Sequence, residues 1–170
     1  PAFRNVVVNG HLLAEDGKKM SKSKKNYTDP TELMESLGAD PFRLALVNSA
    51  VVRGEPVRFG DEAVREAHRG VILPLINSCQ FLLTYAKADG WKPPVGNPVP
   101  APKSEIDRWI LSRFQTLLGE IHSAMAVYHL NRLVPPLIGF LDDLTNWYIR
   151  RSRRRFWKSE AAADKEEAFR

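Results

Sequence analysis

The chain has 170 residues, of which 44% are hydrophobic, and a formal net charge of +5. That length holds one ordinary domain or somewhat more, and the apolar fraction excludes a chain that is disordered throughout. Cys79 is the only cysteine, which rules out an internal disulfide and a cysteine-rich metal site. It lies in an apolar helical stretch, where a small buried core residue is the expected role.

Phe3-Arg4-Asn5-Val6-Val7-Val8 is β-branched and predicts a strand. Asn9-Gly10 then turns the chain into a second short strand at His11–Ala14, so the opening reads as a short β-hairpin closed by Asp16-Gly17. No initiator Met precedes this run, which reads as a piece of something longer. Residues 18–25 carry five lysines and two serines, entered through Gly17. Ammonium groups, hydroxyls and backbone N–H groups in one loop are what a polyphosphate requires, because its charge and its oxygens must be met together. Most lysine-rich loops are merely solvated, so the composition alone is weak evidence.

Asp29-Pro30 predicts a helix start, with aspartate as cap and proline at the first helical position, and Gly38 predicts its end. Asp40-Pro41 repeats that entrance before the apolar segment 42–52, which Gly54-Glu55-Pro56 breaks. From Asp61 the spacing of Val64, Ala67, Val71, Leu75, Cys79, Leu82 and Ala86 predicts a longer helix, kinked at Pro74. Residues 93–102 hold five prolines. They predict an irregular surface connection at about 92–103. Ser104 and Asp107 read as a capping box. The helix behind them carries Ile106, Ile110, Phe114, Leu117, Ile121, Ala124 and Tyr128 on one face. Leu133, Leu137, Leu141, Leu144 and Tyr148 mark the next, with Pro135-Pro136 kinking or delaying its start. A polar, alanine-rich piece from Ser159 begins a last helix. The expected fold is mainly α: a small mixed region over residues 1–53, then an antiparallel helical bundle over 54–170. The apolar runs are broken by Pro, Asn or charge before membrane-spanning length, so no membrane partner and a cytoplasmic location are expected.

Residues 146–157 form a second basic cluster, Asn-Trp-Tyr-Ile-Arg-Arg-Ser-Arg-Arg-Arg-Phe-Trp. At roughly 100° per residue, Arg151 and Arg155 share the arc of the apolar stripe, whereas Arg150, Arg153 and Arg154 fall outside it. The first pair is expected either to emerge beyond the bundle end or, where the helix stays packed, to find a carboxylate or carbonyl partner. The other three, with Trp147, are candidates for RNA contact through phosphate pairing and stacking. The alternative is that all five arginines are solvated or internally paired and the tryptophans simply pack.

Lys19-Met20-Ser21-Lys22-Ser23 resembles the KMSKS signature of class I aminoacyl-tRNA synthetases. With Lys24-Lys25-Asn26, Asp29-Pro30, Gly38-Ala39-Asp40, Arg43-Leu44 and the 146–157 string, the chain looks like the isoleucyl branch of that family over nearly its whole length. The resemblance implies that residues 1–53 end the catalytic core and that 54–170 begin the anticodon-binding bundle. It implies ATP with Mg²⁺, isoleucine, tRNA(Ile) and the remainder of a synthetase chain as partners, with no metal site in this region. Lys19 and Lys22 are implied to be catalytic, stabilising charge on the phosphates. Lys19, Met20, Ser21, Lys22 and Ser23 are implied to bind ATP, and Trp147, Arg150, Arg153 and Arg154 to bind tRNA. Competing readings are a valyl or leucyl relative and a non-catalytic RNA-binding helical module.

Overall fold

The computed structural model describes residues 2–96, 101–158 and 162–170. Most of the proline-rich connection, residues 97–100, lies outside the described residues. Helix accounts for 66% of the described residues. Two compact units divide it: Pro1–Leu73 with Gly119–Ile138, and Pro74–Leu118 with Gly139–Arg170.

In the first unit, strand β1 (Leu12–Leu13) pairs in parallel with β2 (Val57–Arg58), Leu12 opposite Val57 and Leu13 opposite Arg58. This replaces the expected hairpin. Residues 3–8 form no strand, and Phe3, Val6, Val7 and Val8 are exposed. A β-branched run becomes a strand only where a neighbour supplies its ladder, and no described residue does so for 3–8. Asn9-Gly10 is not a hairpin turn either. Gly10 N–H donates to the Val51 carbonyl (2.7 Å), and a Cβ there would come within 1.9 Å of the Glu55 carbonyl oxygen, so the close passage requires glycine.

Helix α1 (Pro30–Leu37) begins as expected: the Asp29 carboxylate accepts the Thr31 N–H (2.8 Å), and Pro30 occupies the first helical position. Gly38 ends it at φ +96°. Helix α2 (Ala39–Val47) starts one residue before the expected Asp40 entrance, so Asp40 lies in its first turn and pairs with Arg43 (2.7 Å) instead of capping. A 3₁₀ turn, Ala50–Arg53, follows, opened by the Ser49 side chain accepting from Val51 N–H. Helix α3 (Asp61–Ala67) adds Val64, wholly buried, to a core of Leu33, Ala45 and Phe59. Met20, Phe42 and Leu46 pack against this core, with the Phe42 and Phe59 rings 5.7 Å apart and edge-on.

A π-helical turn, His68–Ile72, connects α3 to α4 (Leu73–Ala88). Pro74 has no N–H for the residue 70 carbonyl, and the wider turn just before it re-pairs the backbone, with Leu73 N–H donating to the His68 carbonyl. Beyond the turn, Leu75, Leu82 and Cys79 are exposed rather than buried as the unbroken stripe predicted, whereas Ala86 on the same stripe is buried. The helical run Asp61–Ala88, 28 residues with mean hydropathy 1.2 over its most apolar window, is long and apolar enough to cross a membrane by length and composition alone. The sequence expectation therefore holds only for uninterrupted apolar runs.

In the second unit, the first half of α5 (Glu105–Ala126) buries Asp107, Ile110 and Leu117. Helix α6 (Val134–Asp142) carries Pro135 and Pro136 in its first turn, where missing N–H donors cost nothing, so they neither kink nor delay it. A second π-helical segment, Asp143–Ile149, leads into α7 (Arg150–Lys158), and α8 (Ala162–Phe169) closes the chain. Phe156, Ala86, Ala168 and Phe169 form the core here, with Phe81, Tyr85 and Trp91 against it. In the first unit, α5 ends at Ala126, before Tyr128. That residue is expelled from the predicted stripe, sits at φ +58° and is half exposed.

Candidate functional site: a lysine loop and a cationic helix face

The lysine loop leaves β1 through a tight turn. Ala14 N–H donates to the Lys18 carbonyl (2.9 Å), Gly17 adopts φ +77°, and Lys19 bridges back to Leu13 antiparallel. Asn26 then ties the loop's two ends together. Its Oδ1 accepts the Ser21 N–H (2.9 Å), and its Nδ2 donates to the Lys19 carbonyl (3.2 Å). Between these ends, Lys24 N–H donates to the Ser21 carbonyl and Lys25 N–H to the Lys22 carbonyl, while the Ser21 and Ser23 hydroxyls share a 2.9 Å hydrogen bond. Lys25 takes φ +47°.

Lys18, Lys19, Lys22, Lys24 and Lys25 are all exposed. Among the described residues, only Lys18 has a carboxylate partner, Asp16 at 3.7 Å. Met20 points the other way, into the hydrophobic core, and anchors the loop. It also lines a cleft of about 490 Å³ with Glu15, Asn26, Tyr27, Thr28 and Asp61. Hydrogen bonds from Thr31 hold the Asp29 carboxyl below the usual carboxylate range, and the Lys22 charge adds to the effect. The arrangement is a backbone pinned at both ends that holds ammonium groups in water with little to neutralise them. It favours an anion, and a polyanion most. Asn26 was missed as a loop clamp. Its only sequence signal is an amide at the end of the lysine run.

The second basic cluster divides differently from its helical-wheel expectation. Arg155 is paired as predicted. It makes a bidentate contact to Asp107 on α5 (2.7 and 2.8 Å) and donates Nε–H to Asp164 on α8 (2.8 Å). The Tyr148 hydroxyl donates to the same Asp107 carboxylate (2.8 Å). Asp107 is thus not the capping-box partner expected; the Glu167 carboxylate instead accepts the N–H groups of Lys103 and Ser104. Those bonds hold Glu167 below its ordinary pKa. Burial, then the Asp107 hydrogen bond, pushes the Tyr148 hydroxyl well above its ordinary range, and hydrogen bonding to Asp107 keeps Arg155 charged at any accessible pH.

Arg151, expected on the core side, is exposed. The π-helical segment is the reason. Residues after it are rotated relative to the stripe before it, by roughly 100° for each inserted residue. The buried arc of α7 therefore centres on Ser152 and Phe156, with Arg155 on its edge. Arg150, Arg151, Arg153 and Arg154 occupy the open side with Trp147 and Trp157, which are 50% and 45% exposed. The Arg151 guanidinium lies 4.7 Å from the Trp147 ring centre, and that of Arg153 lies 5.3 Å from the Trp157 ring. None of these four arginines has a carboxylate partner among the described ion pairs. An arc of cations and indole faces without acids suits a polyanion that carries aromatic bases.

Comparison with known proteins bears on both features. Residues 1–58 match the family described as tRNA synthetases class I (I, L, M and V), and residues 107–170 match the anticodon-binding domain of tRNA ligase. An isoleucine–tRNA ligase of Treponema denticola is 46% identical over 99% of this chain, and one of Chlamydia trachomatis is 50% identical over 99%. The chain spans 16% of the length of each. Among solved structures, Mycobacterium tuberculosis methionyl-tRNA synthetase bound by methionyl-adenylate superposes with a TM-score of 0.67 at 25% identity, over 93% of this chain and 30% of that one. Agrobacterium radiobacter K84 LeuRS, in a ternary complex with tRNA and LeuAMS, gives 0.60 at 19% identity, over 85% and 17%, a likeness of fold alone. The chain is thus homologous along its length to isoleucine–tRNA ligases, with its first 58 residues in the class I tRNA synthetase family and residues 107–170 in that of the anticodon-binding domain.

Proposed function

We propose that this chain is the part of an isoleucine–tRNA ligase that carries the KMSKS loop and the start of the anticodon-binding bundle. Residues 1–53 end the catalytic core in this reading, and 54–170 form the antiparallel helical part. The whole enzyme, placed in the cytoplasm, joins isoleucine to tRNA(Ile) in two steps. The isoleucine carboxylate attacks the α-phosphorus of ATP, which carries Mg²⁺, and pyrophosphate leaves. The acyl group then passes to the terminal ribose of the tRNA. The attacking group is already an anion, so no general base is needed, and catalysis rests on stabilising charge at the phosphates.

The observation that carries the reading is the pinned, exposed and largely unpaired lysine loop in a chain 46–50% identical to isoleucine–tRNA ligases. Lys19 and Lys22 meet the phosphates as charge develops. Met20 presents backbone to the adenine while its side chain stays in the core. Ser21 and Ser23, bonded to one another, hold the loop's shape. On α7, Trp147, Arg150, Arg153 and Arg154 contact tRNA.

The test is Lys22→Ala in the full-length ligase. Losing a charge contact made in the transition state is expected to slow isoleucine-dependent ATP–pyrophosphate exchange by about a hundredfold to a thousandfold, with little change in the KM for isoleucine. Normal turnover with only a raised isoleucine KM would contradict the assignment.

A further inference from the structure

We propose that Arg58 is a further phosphate-binding residue of the lysine-loop site, a cation that reaches the polyphosphate from strand β2 rather than from the loop. The proposal rests on the reading of that loop as an ATP site.

Leu13 pairs with Arg58 on one side and bridges to Lys19 on the other. Residues aligned across neighbouring strands project from the same face, and strands lie about 4.8 Å apart. Arg58 and Lys19 therefore leave the same face of this small sheet with backbones about 10 Å apart. The side-chain position agrees. The Arg58 guanidinium rests on the Gly17 turn, with Nε, Nη2 and Cζ 3.1, 3.2 and 3.4 Å from where a Cβ would stand. Gly17 itself is favoured by its positive φ, and the Arg58 guanidinium packs closely over it.

Arg58 is exposed, and among the described residues it forms no ion pair. Asp16, next to Gly17, is engaged by Lys18 through both its side chain and its backbone N–H. A guanidinium held on a glycine turn, with its planar donors unspent, is suited to bidentate capture of a phosphate. The loop's five lysines sit on a backbone closed by short-range hydrogen bonds. Arg58 belongs to a strand, so it offers the anion a cation whose position does not follow the loop.

The experiment compares Arg58→Gln, Arg58→Lys and Lys22→Ala in the full-length ligase. It measures ATP and isoleucine dependence of pyrophosphate exchange, calorimetric affinity for inorganic pyrophosphate, and melting temperature. Arg58→Gln is expected to raise the KM for ATP and weaken pyrophosphate binding by about tenfold to a hundredfold. The isoleucine KM and melting temperature should be unchanged, and Arg58→Lys should recover part of the loss. An unaltered ATP KM and pyrophosphate affinity in Arg58→Gln would overturn the proposal. So would equal losses in both Arg58 variants accompanied by a lowered melting temperature, because Arg58 would then be a brace for Gly17. If Arg58→Gln is silent while Lys22→Ala cripples exchange, this inference fails alone. If Lys22→Ala is silent too, the ATP reading of the loop fails with it.

Discussion

The lysine loop and the Arg155 cluster use the same kind of charge for opposite ends. In the loop, the backbone is satisfied by Asn26 and by its own turns, and the ammonium groups are left in water. At Arg155 the guanidinium itself is consumed, by Asp107 and Asp164, with its side chain only 15% exposed and that of Asp107 only 7%. The loop's charges are held by their backbone and, Lys18 apart, are without a carboxylate partner among the described residues. Charges meant for the fold are desolvated and fully paired. The sign and number of basic residues do not separate the two cases; the position of carboxylates does.

The sharpest way to break this comparison is to remove the buried charge's bidentate partner. Asp107→Ala leaves Arg155 with Asp164 alone and removes the acceptor of the Tyr148 hydroxyl. The expected loss is about 3–5 kcal/mol in urea unfolding. A loss below about 1 kcal/mol, the range of exposed pairs, would show that the network is no more than a surface ion pair.

Tyr148→Phe should cost less, about 1.5–3 kcal/mol for a hydrogen bond to a charged acceptor. It also carries a pH signature. The fold holds Tyr148 above its ordinary pKa, whereas the unfolded residue ionises near 10. The stabilisation is therefore complete below about pH 10 and is lost as pH rises toward the folded value, because the unfolded chain then binds fewer protons. Unfolding free energies at pH 9 and pH 11 should fall more steeply for the parent chain than for Tyr148→Phe. Parallel slopes would show that the hydroxyl is not buried on a carboxylate.

The smallest expected effect comes from the Asp29 cap. Asp29→Ala should lower the melting temperature slightly, as the loss of a helix N-cap does. Because the native carboxyl titrates below its ordinary pKa, the carboxylate's stabilising share is present above the unfolded value and lost as pH falls through the folded one. The gap between the two proteins should therefore narrow in acid, and an unchanged gap would remove the charge from the account.

What the sequence made legible was local. Asp29-Pro30 marks a helix start because a cap and a fixed φ are properties of adjacent residues, and the Lys19–Ser23 run stands out without any fold. What failed depended on partners remote in sequence or on helical phase. The strand pairing of Leu12 with Val57 spans 45 residues and leaves no local trace, so Asn9-Gly10 looked like a hairpin. Two π-helical turns interrupt the predicted wheels: Cys79 and Leu82 are exposed beyond the first, although Ala86 stays buried, and Arg151 is exposed beyond the second. Arg155 kept its predicted role because it stands near the edge where the old and new buried arcs overlap. Asp107 was legible as an acid in the first turn of α5, but not as the acid that Arg155 needs.

In the proposed function Arg155 of α7 belongs to the fold and Arg150, Arg153 and Arg154 contact tRNA, and the exposed Arg151 is grouped with those three. That division is tested most directly by measuring melting temperature and tRNA affinity at several salt concentrations for Arg150→Ala, Arg151→Ala, Arg153→Ala, Arg154→Ala and Arg155→Ala in the full-length ligase. The account predicts that only Arg155→Ala lowers the melting temperature markedly. The other four should leave it nearly unchanged while weakening tRNA binding and flattening its salt dependence. Five variants behaving alike in both assays, or Arg151→Ala behaving like Arg155→Ala, would contradict it.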